Sequence, residues 1–112
     1  MKDDGVCLRH ILECIRRVDE NTSQGKHAFL ASHTLQDAVL RNLQTMTEAT
    51  QRLSDDLKAA RPDVEWSRMA AFRNVLTHNY LGIDLLQVWE ITQRDVPHLK
   101  SVVSEMLKGI SS

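Results

Sequence analysis

The sequence predicts an all-α fold, an antiparallel bundle of four to five helices formed by a single domain over residues 1–112. Apolar residues recur three and four positions apart along most of the chain, as they do on one face of an α-helix. Only four glycines and two prolines interrupt the chain, which favours long helices over a turn-rich β fold. A composition of 42% hydrophobic and 26% charged residues is that of a globular domain with its own core.

The first helix is expected over residues 5–19, where an apolar stripe repeats at helical spacing: Leu8, Ile11, Leu12, Ile15 and Val18. A polar turn at residues 21–25 ends it. Residues 26–31 are predicted to form a connector that places Phe29 and Leu30 in the core.

Two cysteines lie on this first helix, with His10 between them. Cys7 and Cys14 are seven positions apart, so their Cα atoms should be about 10 Å apart, beyond the ~7 Å limit for a disulfide. A metal site would need four ligands, and no second cysteine or histidine cluster supplies the rest. Buried or interface cysteines are therefore favoured, and no metal site is predicted.

The second helix is predicted to be the longest, over residues 33–60, with Ser32 as its N-cap and Pro62 closing it. Its apolar positions are close to a heptad repeat: Leu35, Val39, Met46, Ala49, Leu53 and Leu57. Asn42 interrupts that repeat. Its amide either forms a hydrogen bond that fixes helix register or lines a polar cleft near Arg73.

Asp37 and Arg41 are four positions apart on the same helix. This order suits an ion pair, worth about 0.3–0.5 kcal/mol on an exposed helix. Alternatively, Asp37 orients the Arg41 side chain, or the two residues bind a partner.

The third helix is predicted over residues 66–80, ended by Gly82. Its apolar surface is broader than one stripe and comprises Trp66, Met69, Ala70, Phe72, Val75 and Leu76. A helix of this kind is expected to be covered on two sides, by its own bundle and by a second copy of the chain. The sequence therefore favours a homodimer through this helix.

A fourth helix is expected after Asp84, which forms a capping box with Gln87. A break is predicted at residues 94–95, followed by a further helix that begins near Pro97 and reaches Gly109.

The residues best suited to chemistry lie in one run near the end of the third helix. Arg73 offers a planar fork of donors to phosphate oxygens, and His78 can take or give a proton near neutral pH. On an ideal helix the two point about 140° apart. Either the helix loosens near Gly82, or a second copy completes the site. Without further information a helical histidine is more often a packed side chain than a catalytic one.

The pattern R-x-x-x-x-H-x-Y, from Arg73 to Tyr80, closely resembles the HepT-like toxins of the HEPN superfamily. The resemblance runs from about Leu8 to Leu107. It includes the segment from Asp37 to Leu43, then Glu48, Ala49 and residues 52–54, and the residues that follow Tyr80: Leu81, Gly82, Ile83, Asp84, Val88, Trp89, Glu90 and Ile91.

This resemblance implies a HEPN-like helical homodimer that acts as a metal-independent endoribonuclease toxin, with transfer or messenger RNA as substrate. Arg73 and His78 fall on its catalytic pair, and Asn74 is placed to orient His78. The partner would be a minimal nucleotidyltransferase antitoxin that adenylylates Tyr80. Glu48 is expected in the cleft with the three residues of the second helix named above, Asp37, Arg41 and Asn42. No cofactor is predicted.

A competing hypothesis is a non-catalytic accessory subunit that binds a nucleotidyltransferase and presents its substrate. The net charge of −1 suits protein binding better than indiscriminate binding of nucleic acid. RNA binding would require a local basic cluster, for which Arg41, Arg52 and Arg73 are the candidates. No apolar run reaches signal or membrane-spanning length, so a cytoplasmic protein without a membrane partner is expected.

Overall fold

Six α-helices and one 3₁₀ turn make up residues 3–111, the part of the chain that the computed structural model describes. The helices are α1 (Asp4–Thr22), α2 (Lys26–Ala31), α3 (His33–Gln51), α4 (Asp55–Ala59), α5 (Trp66–His78) and α6 (Leu85–Ser111), and the 3₁₀ turn is Tyr80–Gly82. No strand occurs in these described residues. The all-α prediction is confirmed. The number of helices is six because the short helices α2 and α4 are additional and the last two predicted helices are one, α6. Residues 1, 2 and 112 of the predicted domain lie outside the described part.

The core lies where α1 packs along α3 and against α6. Phe29 of α2 is completely buried and stacks at a tilt on Trp89 of α6, with their ring centroids 5.6 Å apart. The predicted stripe of α1 is confirmed, because its members Leu8, Ile11, Ile15 and Val18 are buried. Burial of each such side chain contributes about 1.5–3 kcal/mol to folding. Ser32 caps α3 as expected, accepting the backbone N–H of Leu35 at 3.2 Å.

The second predicted helix is wrong in its length, because α3 stops at Gln51. Ser54 causes the break: its backbone N–H and its hydroxyl donate to the two carboxylate oxygens of Asp4, at 2.9 and 2.7 Å. Its hydroxyl oxygen then accepts the N–H of Leu57 and caps α4. The apolar repeat continues through Leu53 and Leu57, so periodicity alone gives no sign of the break.

The break predicted at residues 94–95 is also wrong, because α6 is continuous over 27 residues with Pro97 inside it. Proline in a helix leaves the carbonyl four residues earlier without its N–H partner. Here that residue, Gln93, is exposed to solvent. The buried series of Val88, Val96, Leu99 and Val103 stays in phase across the proline, and its packing keeps the helix intact.

The two cysteines are free, Cys14 buried and Cys7 half-buried. Burial raises the pKa of the Cys14 thiol. Within residues 3–111, no three histidine, cysteine, aspartate or glutamate side chains come together as metal ligands would. The same residues include no helix with the length and hydropathy to cross a membrane.

Candidate functional site

α5 lies against α3, and its apolar surface is only partly covered. Leu76 is its single fully buried residue, while Trp66, Met69 and Phe72 are half-buried and Val75 is 43% exposed. On the side of α5 that faces α6, a groove of about 330 Å³ runs past Met69, Phe72 and Ile91. A single chain therefore leaves apolar surface on α5 unburied.

His78 is the last residue of α5, which ends two residues earlier than predicted. The N–H of Asn79 closes the helix on the carbonyl of Val75 at 2.9 Å, and the 3₁₀ turn follows at once. The side chain of Asn79 leans over Gly82, where an added Cβ would stand 2.6 Å from Asn79 Oδ1. The imidazole of His78 is exposed and forms no hydrogen bond with any other described residue. It is therefore open to a substrate.

Tyr80 joins the end of α5 to the first half of α3. Its hydroxyl donates to Oδ1 of Asp37 at 3.0 Å. Desolvation raises the pKa of the Tyr80 hydroxyl, and the Asp37 carboxylate raises it further, so the group stays protonated and keeps donating. Asp37 uses its carboxylate here and forms no ion pair with Arg41 among the described residues, so that predicted pair is wrong. Tyr80 remains 39% exposed.

Arg73 is half-buried between α5 and α3. Its Nη1 donates to Asn74 Oδ1 at 3.1 Å, so Asn74 contacts Arg73 and not His78. The Nε atom of Arg73 is buried and has no hydrogen-bond partner. No carboxylate within residues 3–111 forms an ion pair with it. Most of this guanidinium's donors therefore have no acceptor among the described residues.

The Arg73 side chain lines a cavity of about 190 Å³ together with three residues from the end of α3, Glu48, Gln51 and Arg52. Glu48 lines this cavity, and its Oε1 accepts the Gln44 amide at 3.2 Å; its place in a dimer cleft stays a prediction. Gln51 was missed at the sequence level, and Arg52 was noted within the family resemblance and as one member of a basic cluster, without a place in the site. Their spacing from Glu48, three and four positions, was the available signal, because such residues share a helix face.

The predicted site residues therefore fall into two groups along α3. Glu48 meets Arg73 at its end, and Asp37 meets Tyr80 near its start. His78 does not line the cavity that holds Arg73, so one chain does not aim both at one point. The amide of Asn42 donates to the carbonyl of Ala38 at 2.8 Å, within its own helix; it neither fixes register between helices nor reaches the Arg73 cavity. Arg41 is exposed and outside both groups.

The helical bundle and the R-x-x-x-x-H-x-Y segment together define a HEPN-like protein. Within that class the chain belongs to the ribonuclease HepT-like family, whose model matches residues 11–106. The predicted resemblance is confirmed.

Several relatives carry names that refer to ribonucleases. An RNase candidate of Methanocaldococcus jannaschii is 34% identical over 103 residues, covering 91% of this chain and 94% of that protein. A protein of Thermococcus cleftensis named "Probable ribonuclease HepT" is 32% identical over 102 residues, with 90% and 93% covered. A longer M. jannaschii protein, whose name joins a gamma-glutamylcyclotransferase to an RNase candidate, is 32% identical over 110 residues; the chain spans 50% of its length. No solved structure gives a significant match.

Proposed function

We propose that this protein is a metal-independent endoribonuclease, the toxin of a toxin–antitoxin pair, which cleaves transfer or messenger RNA in the cytoplasm. The observation that carries the proposal is the exposed, unbonded imidazole of His78 on the helix that also holds the unpaired guanidinium of Arg73. Membership of the ribonuclease HepT-like family and the names of the relatives support it.

The proposed reaction uses the RNA's own 2′-hydroxyl as nucleophile. His78 takes the proton from that hydroxyl, and the oxygen attacks the adjacent phosphorus. The 5′-oxygen leaves with a proton from the partner's His78, giving a 2′,3′-cyclic phosphate and a free 5′-hydroxyl. Arg73 stabilises the negative charge that develops on the phosphate. Base, acid and cation are all side chains, so the reaction as proposed requires no metal.

A homodimer is part of this proposal because one chain does not direct Arg73 and His78 to one point. Large apolar side chains near His78 in the chain support pairing here: Val75 is 43% exposed, Leu81 99% and Leu86 52%. Exposed apolar side chains grouped in this way are typical of a surface that another protein covers. A twofold axis beside this surface would add the partner's His78 to the site.

The catalytic assignment is tested with purified protein, labelled RNA and a chelator in the buffer. His78→Ala and Arg73→Ala should each lower the cleavage rate by about 100-fold or more, because general acid–base catalysis contributes ~10²–10⁴-fold. Arg68→Ala is the matched control, since Arg68 lies on the same helix but is exposed and paired with Glu65. Its rate should equal that of the wild type.

A requirement for divalent metal, or cleavage that persists in His78→Ala, would contradict the assignment. If the wild-type chain cuts no RNA and is not toxic when expressed alone, the non-catalytic accessory subunit becomes the better hypothesis.

The dimer is tested by light scattering on Leu81→Asp. A buried aspartate at the contact is expected to give a monomer that has lost cleavage while its helical circular dichroism is unchanged. Val6→Asp provides the control, because Val6 is 57% exposed on α1, in a different part of the chain. A Leu81→Asp protein that stays dimeric, or a monomer that cleaves at the wild-type rate, would contradict the proposed contact.

Silencing by a minimal nucleotidyltransferase antitoxin that adenylylates Tyr80 completes the proposal. The exposed hydroxyl is accessible, and transfer of AMP to it would break its bond to Asp37 and bring a negative phosphate near that carboxylate. Mass spectrometry after incubation with the enzyme and ATP should show one AMP on the wild type and none on Tyr80→Phe. Full neutralisation of the toxin without modification would point to steric inhibition.

A further inference from the structure

The cavity between α3 and α5 contains a second guanidinium beside that of Arg73, and it takes no part in the proposed reaction. Arg52 is the C-cap residue of α3, and its side chain lines the cavity with Arg73. It forms no ion pair or side-chain hydrogen bond with any other residue of the described chain. Two arginines that share one cavity repel each other unless an anion lies between them.

Four of the seven other arginines are neutralised by carboxylates. Arg16 and Arg17 bind Glu13, Arg61 binds Asp63 and Glu105, and Arg68 binds Glu65. The remaining three, Arg9, Arg41 and Arg94, form no ion pair within residues 3–111, but none of them lines this cavity with Arg73. The cavity is different even though Glu48 lies in its wall. That carboxylate is held by the Gln44 amide and does not form an ion pair with either arginine.

We propose that Arg52 and Arg73 together bind a backbone phosphate of RNA in this cavity, which makes Arg52 a phosphate-binding residue of the protein. The inference deepens the proposed ribonuclease function and rests on it for the identity of the ligand. The buried, unpartnered Nε of Arg73 is the second observation that supports a ligand here, because a buried donor without an acceptor destabilises the folded chain.

The size and chemistry of the cavity suit a phosphate group. A volume of 190 Å³ holds several water molecules at ~30 Å³ each, which is room enough for one phosphate with part of its hydration. Guanidinium groups bind phosphate oxygens through paired N–H donors, and the Gln51 amide offers two further donors. Glu48 disfavours an anion, so the site is a moderate one and its affinity should rise when that carboxylate is removed.

The experiment measures binding of a fluorescent single-stranded RNA oligonucleotide to His78→Ala protein, so that cleavage does not interfere. Adding Arg52→Ala should weaken binding about 10-fold, the effect of one lost charge-assisted contact. The slope of log affinity against log salt should fall in magnitude by about 0.7, the value for one phosphate contact on a single strand. Adding Glu48→Gln instead should tighten binding.

Arg16→Ala is the matched control, because it also changes the net charge from −1 to −2 but removes an arginine that is already paired. It should change affinity by less than about twofold, as expected for a screened surface charge. Arg52→Lys should recover part of the affinity, since lysine keeps the charge without the planar fork. Circular dichroism establishes that each variant is folded.

Equal affinities and salt slopes for Arg52→Ala and Arg16→Ala would overturn the inference, as would wild-type protein that binds no RNA. An Arg52→Ala effect on binding of a nucleotidyltransferase partner, with RNA binding unchanged, would also overturn it. The proposed function fails separately: RNA that binds through Arg52 but is never cut would remove the ribonuclease and leave the phosphate site. Cleavage that depends on His78, with RNA binding unaffected by Arg52→Ala, would remove the phosphate site and leave the ribonuclease.

Discussion

Two arginines of α1, Arg16 and Arg17, and the two arginines of the cavity between α3 and α5 are in opposite electrostatic states. On α1, Arg16 binds Glu13 at 2.6 Å and Glu20 at 2.9 Å, so its charge is neutralised within one helix. In the cavity, Arg52 and Arg73 lie together without an ion pair to any carboxylate of the described chain. The same residue type therefore stabilises a surface in one region and remains available to a ligand in the other.

This difference would allow a chain of net charge −1 to attract RNA, as the proposed function requires. A phosphate that approaches α1 must compete with carboxylates already in place, whereas one that enters the cavity meets free donors. Total charge sums over both regions and hides the distinction. The number of unpaired arginines at one place is the more informative quantity.

Among tests of this comparison between the two regions, the largest expected effect comes from giving the cavity a neutralising carboxylate, as α1 has. Gln51→Glu would place a carboxylate beside Arg52 and Arg73, neutralising the site from within. RNA cleavage should fall about 10- to 100-fold, because charge-assisted contacts of ~1.5–3 kcal/mol are lost or opposed. Single-turnover cleavage rates measured against RNA concentration would show this. Gln24→Glu, an equal charge change in an exposed turn, should have little effect; equal losses in the two variants would refute the local explanation.

A smaller effect is expected from breaking the contact that joins α1 to the end of α3. Asp4 at the start of α1 holds Ser54 just after the end of α3, two residues from Arg52. Ser54→Ala removes the side-chain contact and the cap of α4, and should lower the free energy of unfolding by about 1–3 kcal/mol. RNA affinity should fall with it, because the position of Arg52 loosens. Denaturant melts measure the first and oligonucleotide titration the second.

Ser67→Ala is the control for that substitution, since Ser67 is exposed on α5 and its side chain forms no hydrogen bond within the described residues. A Ser54→Ala protein as stable as Ser67→Ala would show that the side-chain contact between Ser54 and Asp4 contributes nothing to holding the regions together.

The smallest effect concerns the strength of the ion pairs that neutralise Arg16 and Arg17 on α1. Hydrogen bonds from Arg16 lower the pKa of Glu13 to about 2, with Arg17 contributing. Because this pKa is lower in the folded state, the stabilisation is present above the ordinary value of ~4.3 and is lost as pH falls from there towards 2. NMR titration should find Glu13 ionised at pH 3.5 in the wild type and largely protonated in Arg16→Gln. The same midpoint in both proteins would rule out the pairing.

The sequence predicted helices well and their ends less well, for a physical reason. Hydrophobic periodicity indicates which face of a helix is buried. That face continues through Leu53 and Leu57 although the helix breaks there, and it also continues through Val96, where the helix stays intact across Pro97. What decides each boundary is a tertiary contact. The Asp4 carboxylate ends α3 from 50 residues away, and packing carries α6 through its proline.

In the candidate site, too, some features could be predicted from the sequence and others depend on tertiary contacts. The spacing of Arg73, His78 and Tyr80 was visible in one short segment and drew attention to it. The cavity that contains Arg52 was not visible, because it exists only where α3 packs against α5. The contact between Asp37 and Tyr80 likewise joins residues 43 positions apart. The roles of these residues, the dimer and the antitoxin remain predictions.

Leu81 stands almost entirely in water, at 99% exposure, three residues after His78. In the proposed dimer this side chain is covered only when two copies meet, so the population of active enzyme rises with the square of chain concentration while the dimer is scarce. A cell that makes a few copies by chance would then carry mostly inactive monomers. Toxicity would then begin at a threshold of synthesis, and an exposed leucine three residues after the proposed catalytic histidine would set where that threshold falls.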